Sequence, residues 1–292
     1  MLVSTEWLAE RLGDPDLVVV DMRWREDGSA PSLHERGHVP GAVLMDWSKD
    51  LVDPDSEVAF MLAPPDRFAA AMEAAGVGDD TTVVAYADQH GSGPFRLWWA
   101  SRVYGHDDVR VLDGGFDKWT AEGRPISLDR PSPRPAQWTP RPRRGLVARA
   151  ADVMAAGQGG GTALLDSRPA FQFRGEAVWF EAGPVPVGPD GIAHTPRGDL
   201  RGGRVPWAAS VPASELYRED FTLKSPDELL DLFGKVGVDV RPGSRAITYC
   251  GCGISASALL FALTLAGVED ARLYDASWEE WGRDPGWPIA RG

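Results

Sequence analysis

Residues 250–255 read Cys-Gly-Cys-Gly-Ile-Ser and hold both cysteines of this 292-residue chain. A short apolar run, Ala246-Ile247-Thr248-Tyr249, leads into them, and an apolar helical pattern from Ser257 to Ala266 leads out. That order sets a thiol at the end of a strand, in a glycine turn, at the mouth of a helix. Unpaired amides and the positive end of the helix dipole converge there and favour an anion. A Cys250 thiolate so placed is expected to have a lowered pKa and to act as a nucleophile. Gly251 and Gly253 permit tight backbone geometry. Ser255 can add a hydroxyl hydrogen bond or cap the helix. The loop Gly251, Cys252, Gly253, Ile254 and Ser255 is therefore expected to cradle an anion.

Three chemistries use a thiol in such a turn. A cysteine phosphatase needs an arginine six residues beyond the nucleophile to clamp phosphate; here that residue is Ala256, and no arginine follows before the helix ends. A dithiol redox site usually spaces its cysteines by two residues. Cys250-Gly251-Cys252 is one short, so a bridge would be strained and easily reduced. The third chemistry is sulfur transfer, in which the thiolate takes the outer sulfur of a donor and becomes an anionic persulfide held by loop amides. The role of Cys252 stays open between a hydrogen-bonding loop group, a resolving thiol and a bystander. A zinc site would need three or four ligands, and no further Cys/His cluster occurs, so no metal is expected.

Strands and helices must position this loop, and their pattern occurs twice. In the first half, Asp21-Met22-Arg23, Gly37-His38-Val39-Pro40, Thr81–Tyr86 and Val109–Trp119 follow in order. In the second half, Asp166-Ser167-Arg168, Gly203-Arg204-Val205-Pro206, Arg245–Tyr249 and Ala271–Trp281 repeat the series. Short apolar runs (Val18–Val20, Val83–Tyr86, Val109–Leu112) read as buried strands, alternating with helical patterns such as Pro65–Ala75 and Phe95–Tyr104. Such alternation predicts α/β domains, each a parallel sheet flanked by helices. The expected division is a first domain over 1–126, a Pro-rich linker over 127–145 and a second domain over 146–292. Where the second copy has Tyr249-Cys250 the first has Tyr86-Ala87, so only the second carries a nucleophile.

The formal net charge of −13 disfavours nucleic acid as a partner. The basic stretch Arg141-Pro142-Arg143-Arg144 reads as solvated linker. No run of about 18 apolar residues indicates a membrane span, no secretory signal is visible, and two cysteines make no disulfide framework. A reduced, cytoplasmic location is expected.

These residues together resemble the tandem-domain sulfurtransferases of the rhodanese family, over nearly the whole chain. The likeness rests on the Asp-x-Arg strand ends, the Gly-His-Val-Pro-Gly-Ala segment at 37–42, the Gly-Gly-Phe-x-x-Trp segment at 114–119, the loop at 250–255 and the first copy without a thiol. It implies two tandem rhodanese-like domains with Cys250 as catalytic residue. It also implies no cofactor, a sulfane sulfur taken from 3-mercaptopyruvate or thiosulfate, and a thiol, cyanide or protein as acceptor. Members preferring thiosulfate tend to carry basic residues after the cysteine, whereas the uncharged loop here looks like the mercaptopyruvate pattern, with Cys252 in place of Ser or Thr. The family's substrate-anion arginine aligns with Gln172 in Gln172-Phe173-Arg174-Gly175, a departure that leaves Arg174, Arg197, Arg201 or Arg204 to bind the donor's acid group. His38 and Asp27 match a His and an Asp that support the loop in mercaptopyruvate-type relatives, with His38 equally readable as a turn-holding residue. Arg23 and Arg168 read as structural ion-pair partners, and the tryptophans as core, with Trp98 and Trp99 possible pocket walls. The alternative from another class is a non-enzymatic rhodanese-like binding or persulfide-sensing module.

Overall fold

Leu17–Asp21 (Leu-Val-Val-Val-Asp) and Arg245–Tyr249 (Arg-Ala-Ile-Thr-Tyr) lack the polar alternation of a half-exposed strand, and both bury their last three residues. They are central strands of two parallel sheets covered on both faces. The computed structural model describes residues 1–159, 161–180 and 183–292, which form two units. Unit 1 comprises Met1–Pro54, Leu62–Arg144 and Tyr217–Leu223; unit 2 comprises Asp55–Met61, Gly145–Leu216 and Lys224–Gly292.

In unit 1 the strands β1 (Leu2–Val3), β2 (Leu17–Asp21), β3 (Val43–Leu44), β4 (Thr82–Tyr86) and β5 (Val109–Leu112) lie in the order β1-β5-β4-β2-β3, every pair parallel. Its helices are α1 (Thr5–Ala9), α2 (Ala30–Glu35), α3 (Trp47–Asp50), α4 (Pro65–Ala74), α5 (Gly93–Val103) and α6 (Gly115–Ala121). Tyr86, Leu112 and Trp119 sit in its core. Trp98 and Trp99 on α5 are fully buried and are core residues of this unit.

Unit 2 carries β6 (Val147–Ala148) and β7 (Thr162–Asp166), then two antiparallel hairpins, β8 (Ala177–Phe180) with β9 (Gly183–Pro186) and β10 (Ile192–Thr195) with β11 (Gly198–Arg201). The strands β12 (Ala209–Ser210), β13 (Arg245–Tyr249) and β14 (Asp270–Tyr274) complete the parallel sheet, in the order β12-β7-β13-β14-β6. Counted along each copy, both sheets run first-fifth-fourth-second-third, so the sequence repeat is a repeat of topology. The helices are α7 (Ala150–Ala156), α8 (Ala170–Phe173), α9 (Pro226–Lys235), α10 (Ile254–Leu265) and α11 (Ser277–Trp281).

Local chemistry sets several of these boundaries. Helix α9 starts at a capping box: Ser225 Oγ accepts from the Glu228 amide, the Glu228 carboxylate accepts from the Ser225 amide at 2.8 Å, and Pro226 fits the first turn. Helix α10 is apolar around most of its circumference and almost wholly buried. It begins three residues before the Ser257 pattern, because Gly253 takes φ +79° and lets the chain turn directly into it. The Gly/Pro-rich segment 176–202 holds both hairpins; its residues 181 and 182 lie outside the described residues.

The two strand-end pairs are near copies. Arg23 Nη2 meets Asp21 Oδ2 at 2.6 Å and donates to the Gly37 carbonyl at 2.8 Å. Arg168 repeats this with Asp166 at 2.6 Å and the Gly203 carbonyl at 2.8 Å. Both arginines are buried and tie a strand end to the loop that follows β2 or β7. Residues 131–143 carry no helix or strand, yet they lie along unit 1. Trp138 is buried as an apolar anchor, its amide donates to Glu73 at 2.9 Å, and the Arg141 amide donates to the Tyr104 carbonyl at 2.8 Å. Arg141 and Arg143 remain solvated and pair with Asp79 and Asp107.

Candidate active site

Sheet register builds the site. Tyr249 at the end of β13 stands beside Asp166 of β7, and Thr248 stands beside Leu273 of β14. Cys250 therefore emerges between the chain leaving β7 and the chain leaving β14. The Cys250 amide donates to Ser277 Oγ at 3.0 Å, and the carbonyls of Cys250 and Gly251 accept from the amides of Trp278 (3.0 Å) and Glu279 (2.9 Å). Ser277 Oγ in turn donates to the Tyr274 carbonyl at 2.8 Å. On the far side Thr248 Oγ1 donates to the Ala256 carbonyl at 3.1 Å, drawing the first turn of α10 back onto its strand. The loop is thus pinned at both ends.

Cys250 is only 2% exposed. Burial pushes its thiol up. Hydrogen bonds from the Cys252 thiol, the Ser255 hydroxyl and the amides of Ala256 and Cys252 outweigh burial and bring the pKa down to about 5. These are neutral donors at a helix start, and they stabilise the thiolate. Ser167 Oγ lies 2.9 Å from Ser255 Oγ, in hydrogen-bond contact with it. The arrangement can hold an anionic sulfur, or a sulfur bonded to it, in a dry cradle of oriented donors.

The other expected site residues are placed as follows. Gln172 is buried in α8. Arg174 is exposed and paired with Glu176 at 2.6 Å. Arg204 donates to the Gly292 carbonyl at 2.7 Å and lies 4.7 Å over the Phe173 ring. Arg201 is committed to the carbonyls of Trp281, Gly282, Asp284 and Trp287 and serves structure. His38 and Asp27 belong to unit 1. His38 Nδ1 donates to the His34 carbonyl at 2.9 Å, its ring stacks on His34 at 3.9 Å, and His34 reaches Asp21 at 2.8 Å. Asp27 is exposed and accepts from the Ser29 amide at 2.9 Å.

Three residues absent from the sequence expectations border the loop. Ser167 and Ser277 hold it by hydrogen bonds, and the exposed Trp179 of β8 places its Cβ 3.8 Å from where a Cβ on Gly251 would stand. The repeat carried a signal for Ser277. Its counterpart Gly115 has φ +55°, and a Cβ there would lie 2.3 Å from the Ala87 carbonyl oxygen. Ser277 keeps φ +52° without being glycine, a strained conformation that places its hydroxyl against the nucleophile's amide. Ser277→Gly relieves that strain and removes the bond. It is expected to leave the unfolding midpoint nearly unchanged while slowing persulfide formation by about tenfold, the equivalent of one hydrogen bond near 1.4 kcal/mol. Single-turnover loading of Cys250 measures the rate, and loss of stability with an unchanged rate would reverse the assignment.

A doubly repeated parallel α/β fold carrying a buried, hydrogen-bonded thiolate at one strand end defines a cysteine-dependent group-transfer enzyme. The model of the rhodanese-like domain matches the chain twice, at residues 4–122 and 150–284, and the protein belongs to the rhodanese family. It is 34% identical to the sulfur carrier protein TtuD of Thermus thermophilus over 100% of this chain and 97% of that one. It is also 34% identical to a thiosulfate sulfurtransferase of Corynebacterium glutamicum, over 100% of this chain and 90% of that one. The crystal structure of the 3-mercaptopyruvate sulfotransferase SseA from Escherichia coli superposes with a TM-score of 0.80 at 30% identity, covering 95% of this chain and 98% of that one. The chain is accordingly an enzyme of sulfur transfer, a sulfurtransferase. Among the described residues no helix is long and apolar enough to cross a membrane.

Proposed function

We propose that this sulfurtransferase takes its sulfur from 3-mercaptopyruvate in preference to thiosulfate, through a persulfide on Cys250. The observation that carries the choice of donor is the neutrality of the loop. Residues 250–255 contain no lysine or arginine, and the Cys250 thiolate is held by a thiol, a hydroxyl and amides. A thiosulfate dianion gains from a cation beside the sulfur; mercaptopyruvate keeps its carboxylate three carbons away. In the first half-reaction the Cys250 thiolate attacks the mercaptopyruvate sulfur. The C–S bond breaks, its electron pair forms the enolate of pyruvate, and protonation at carbon releases pyruvate. In the second half a thiol, cyanide or a protein thiol takes the outer sulfur and returns Cys250 as thiolate.

The donors of the loop, from the amides of Gly251, Cys252, Gly253 and Ile254 to the Ser255 hydroxyl, serve to neutralise the outer sulfur as charge moves onto it. We assign the donor's carboxylate to Arg174, in the segment where the family places its anion-binding arginine. Its pairing with Glu176 is exposed and weak, so an incoming carboxylate can compete for it. Gln172 and Arg204 are the further candidates of that segment. His38 and Asp27 are assigned to structure, on the strength of the hydrogen bonds each makes within unit 1. Thiols that must stay reduced suit the cytoplasm.

The ratio of kcat/KM for the two donors, read as thiocyanate formed with cyanide, tests the donor. Mercaptopyruvate is expected to lead by about tenfold or more, the margin expected from one missing charge contact; a ratio favouring thiosulfate overturns the reading. No turnover with either donor, from folded protein with a free Cys250 thiol, would leave the persulfide-sensing module as the function.

A further inference from the structure

We propose that Phe60 selects the sulfur acceptor: its ring walls the Cys250 cradle and admits small acceptors over bulky ones. This role rests on the persulfide reading above and adds the group that limits access to the outer sulfur.

Each half of the chain carries a strap between the third strand of its parallel sheet and its next long helix, and the two straps are copies. Phe60-Met61-Leu62-Ala63-Pro64-Pro65-Asp66 leads into α4, and Phe221-Thr222-Leu223-Lys224-Ser225-Pro226-Asp227 leads into α9. An antiparallel bridge closes each strap, Val52 with Leu62 and Tyr217 with Leu223. Both phenylalanines take left-handed backbone, at φ +58° and +66°, a conformation that is costly for a bulky side chain. Among the described residues the other non-glycine positions with positive φ are Gln89, His90 and Ser277, all in strand-end loops.

The halves exchange these straps: Tyr217–Leu223 belongs to unit 1 and Asp55–Met61 to unit 2. In unit 1 the strap covers the strand end that carries no cysteine. The His90 ring meets Tyr217 at 4.4 Å and Phe221 at 4.9 Å, and the Leu223 amide donates to Asp113 at 2.8 Å. Ala87, Asp113 and Gly115 of the strand ends and Tyr217, Phe221 and Leu223 of the strap line a cavity of about 30 Å³, room for little more than a water. Ala87 and Gly115 are the counterparts of Cys250 and Ser277. In unit 2, Val58 and Met61 pack against the core cluster that contains Tyr249, Ala276 and Trp278, the chain neighbours of Cys250 and Ser277. The strap of unit 2 thus lies by the same strand ends as its copy in unit 1, and Phe60 holds the place of Phe221. Its ring then stands over the outer sulfur of a Cys250 persulfide. An apolar wall there excludes water and leaves room beside the sulfur for cyanide, whereas a tripeptide thiol must displace the ring.

The full-length protein is assayed with 3-mercaptopyruvate as donor and either cyanide or reduced glutathione as acceptor. In a ping-pong scheme kcat/KM for the acceptor reports the second half-reaction alone, so the glutathione-to-cyanide ratio is not moved by slower loading. Phe60→Ala is expected to raise that ratio by about tenfold, the selectivity that one apolar group in a pocket supports. Phe60→Trp is expected to lower it. Should the alanine variant unfold, Phe60→Leu, which keeps apolar packing, is expected to raise the ratio in its place. A ratio equal to that of the unsubstituted protein, or one moved the same way by the smaller and the larger side chain, overturns the proposal and leaves the persulfide mechanism standing. Mass spectrometry of the loaded protein before acceptor is added keeps the two readings apart: no added sulfur on Cys250 of the unsubstituted protein overturns both.

Discussion

Cys250→Ser is expected to lower kcat/KM with either sulfur donor by at least about a thousandfold, since a serine hydroxyl in a cradle without a general base is a weak nucleophile. The fold should tolerate the change, because serine is nearly isosteric and the Ser277 and Trp278 contacts use only the backbone of residue 250. Thiocyanate formation and an unchanged circular dichroism spectrum check the two halves of this statement. A variant that kept full activity would falsify the assignment of the nucleophile. The pH dependence follows from the same geometry. With the thiol pKa brought down to about 5, the thiolate is fully present at pH 7 and is lost as pH falls through 5. Persulfide formation should be flat in this group from about pH 6 upward and decline about tenfold per pH unit well below 5. An unperturbed thiol would instead show its limb near pH 8.5. The folded-state pKa is depressed, so the thiolate also contributes stability, present above the unfolded pKa and lost as pH falls towards 5.

Arg168→Met is expected to destabilise unit 2 by about 3–5 kcal/mol, the cost of leaving a buried charge without its partner. Asp166 has no exposed surface, and Arg168 supplies three of its contacts, at 2.6, 3.0 and 3.0 Å. The same substitution in the other copy, Arg23→Met, should cost less. Each carboxylate also meets a tyrosine hydroxyl, Tyr86 at Asp21 and Tyr249 at Asp166, but Asp21 keeps a further side-chain partner in His34, at 2.8 Å. The comparison is informative because the two arginine–carboxylate geometries are otherwise near copies. A chain of two units need not unfold in one step. Guanidinium titrations followed by tryptophan fluorescence, with each transition fitted separately, provide the measurement. Equal losses in the two variants would show that His34 contributes nothing to holding Asp21.

Much of the site was legible because its signals are local. A β-branched run, a glycine at a turn and an apolar stretch of helical length depend on neighbours along the chain, and they sufficed to put Cys250 at the end of β13 and in front of α10. The absence of a cysteine at Ala87 and of an arginine at position 256 needed only comparison and counting. The duplicated order of motifs likewise anticipated two sheets of one topology. The segment 176–202 is long and rich in glycine and proline, a composition that names no element. Its two hairpins are short and carry Pro184 and Pro186 within a strand, residues that argue against a strand unless it lies at an edge.

What the chain could not disclose from its order alone is which distant groups surround the sulfur. Ser277 lies 27 residues from Cys250, and Ser167 lies 88 residues from its partner Ser255. The parallel register of β7, β13 and β14 brings their C-terminal ends side by side and so decides these contacts. The sequence by itself thus determined the fold class, the repeat and the place of Cys250 between strand and helix, all of which follow from local pattern. Only the tertiary structure decided which groups bring the pKa of the Cys250 thiol down. Burial and hydrogen bonding compete at a single sulfur atom, and the outcome depends on where every neighbouring donor points.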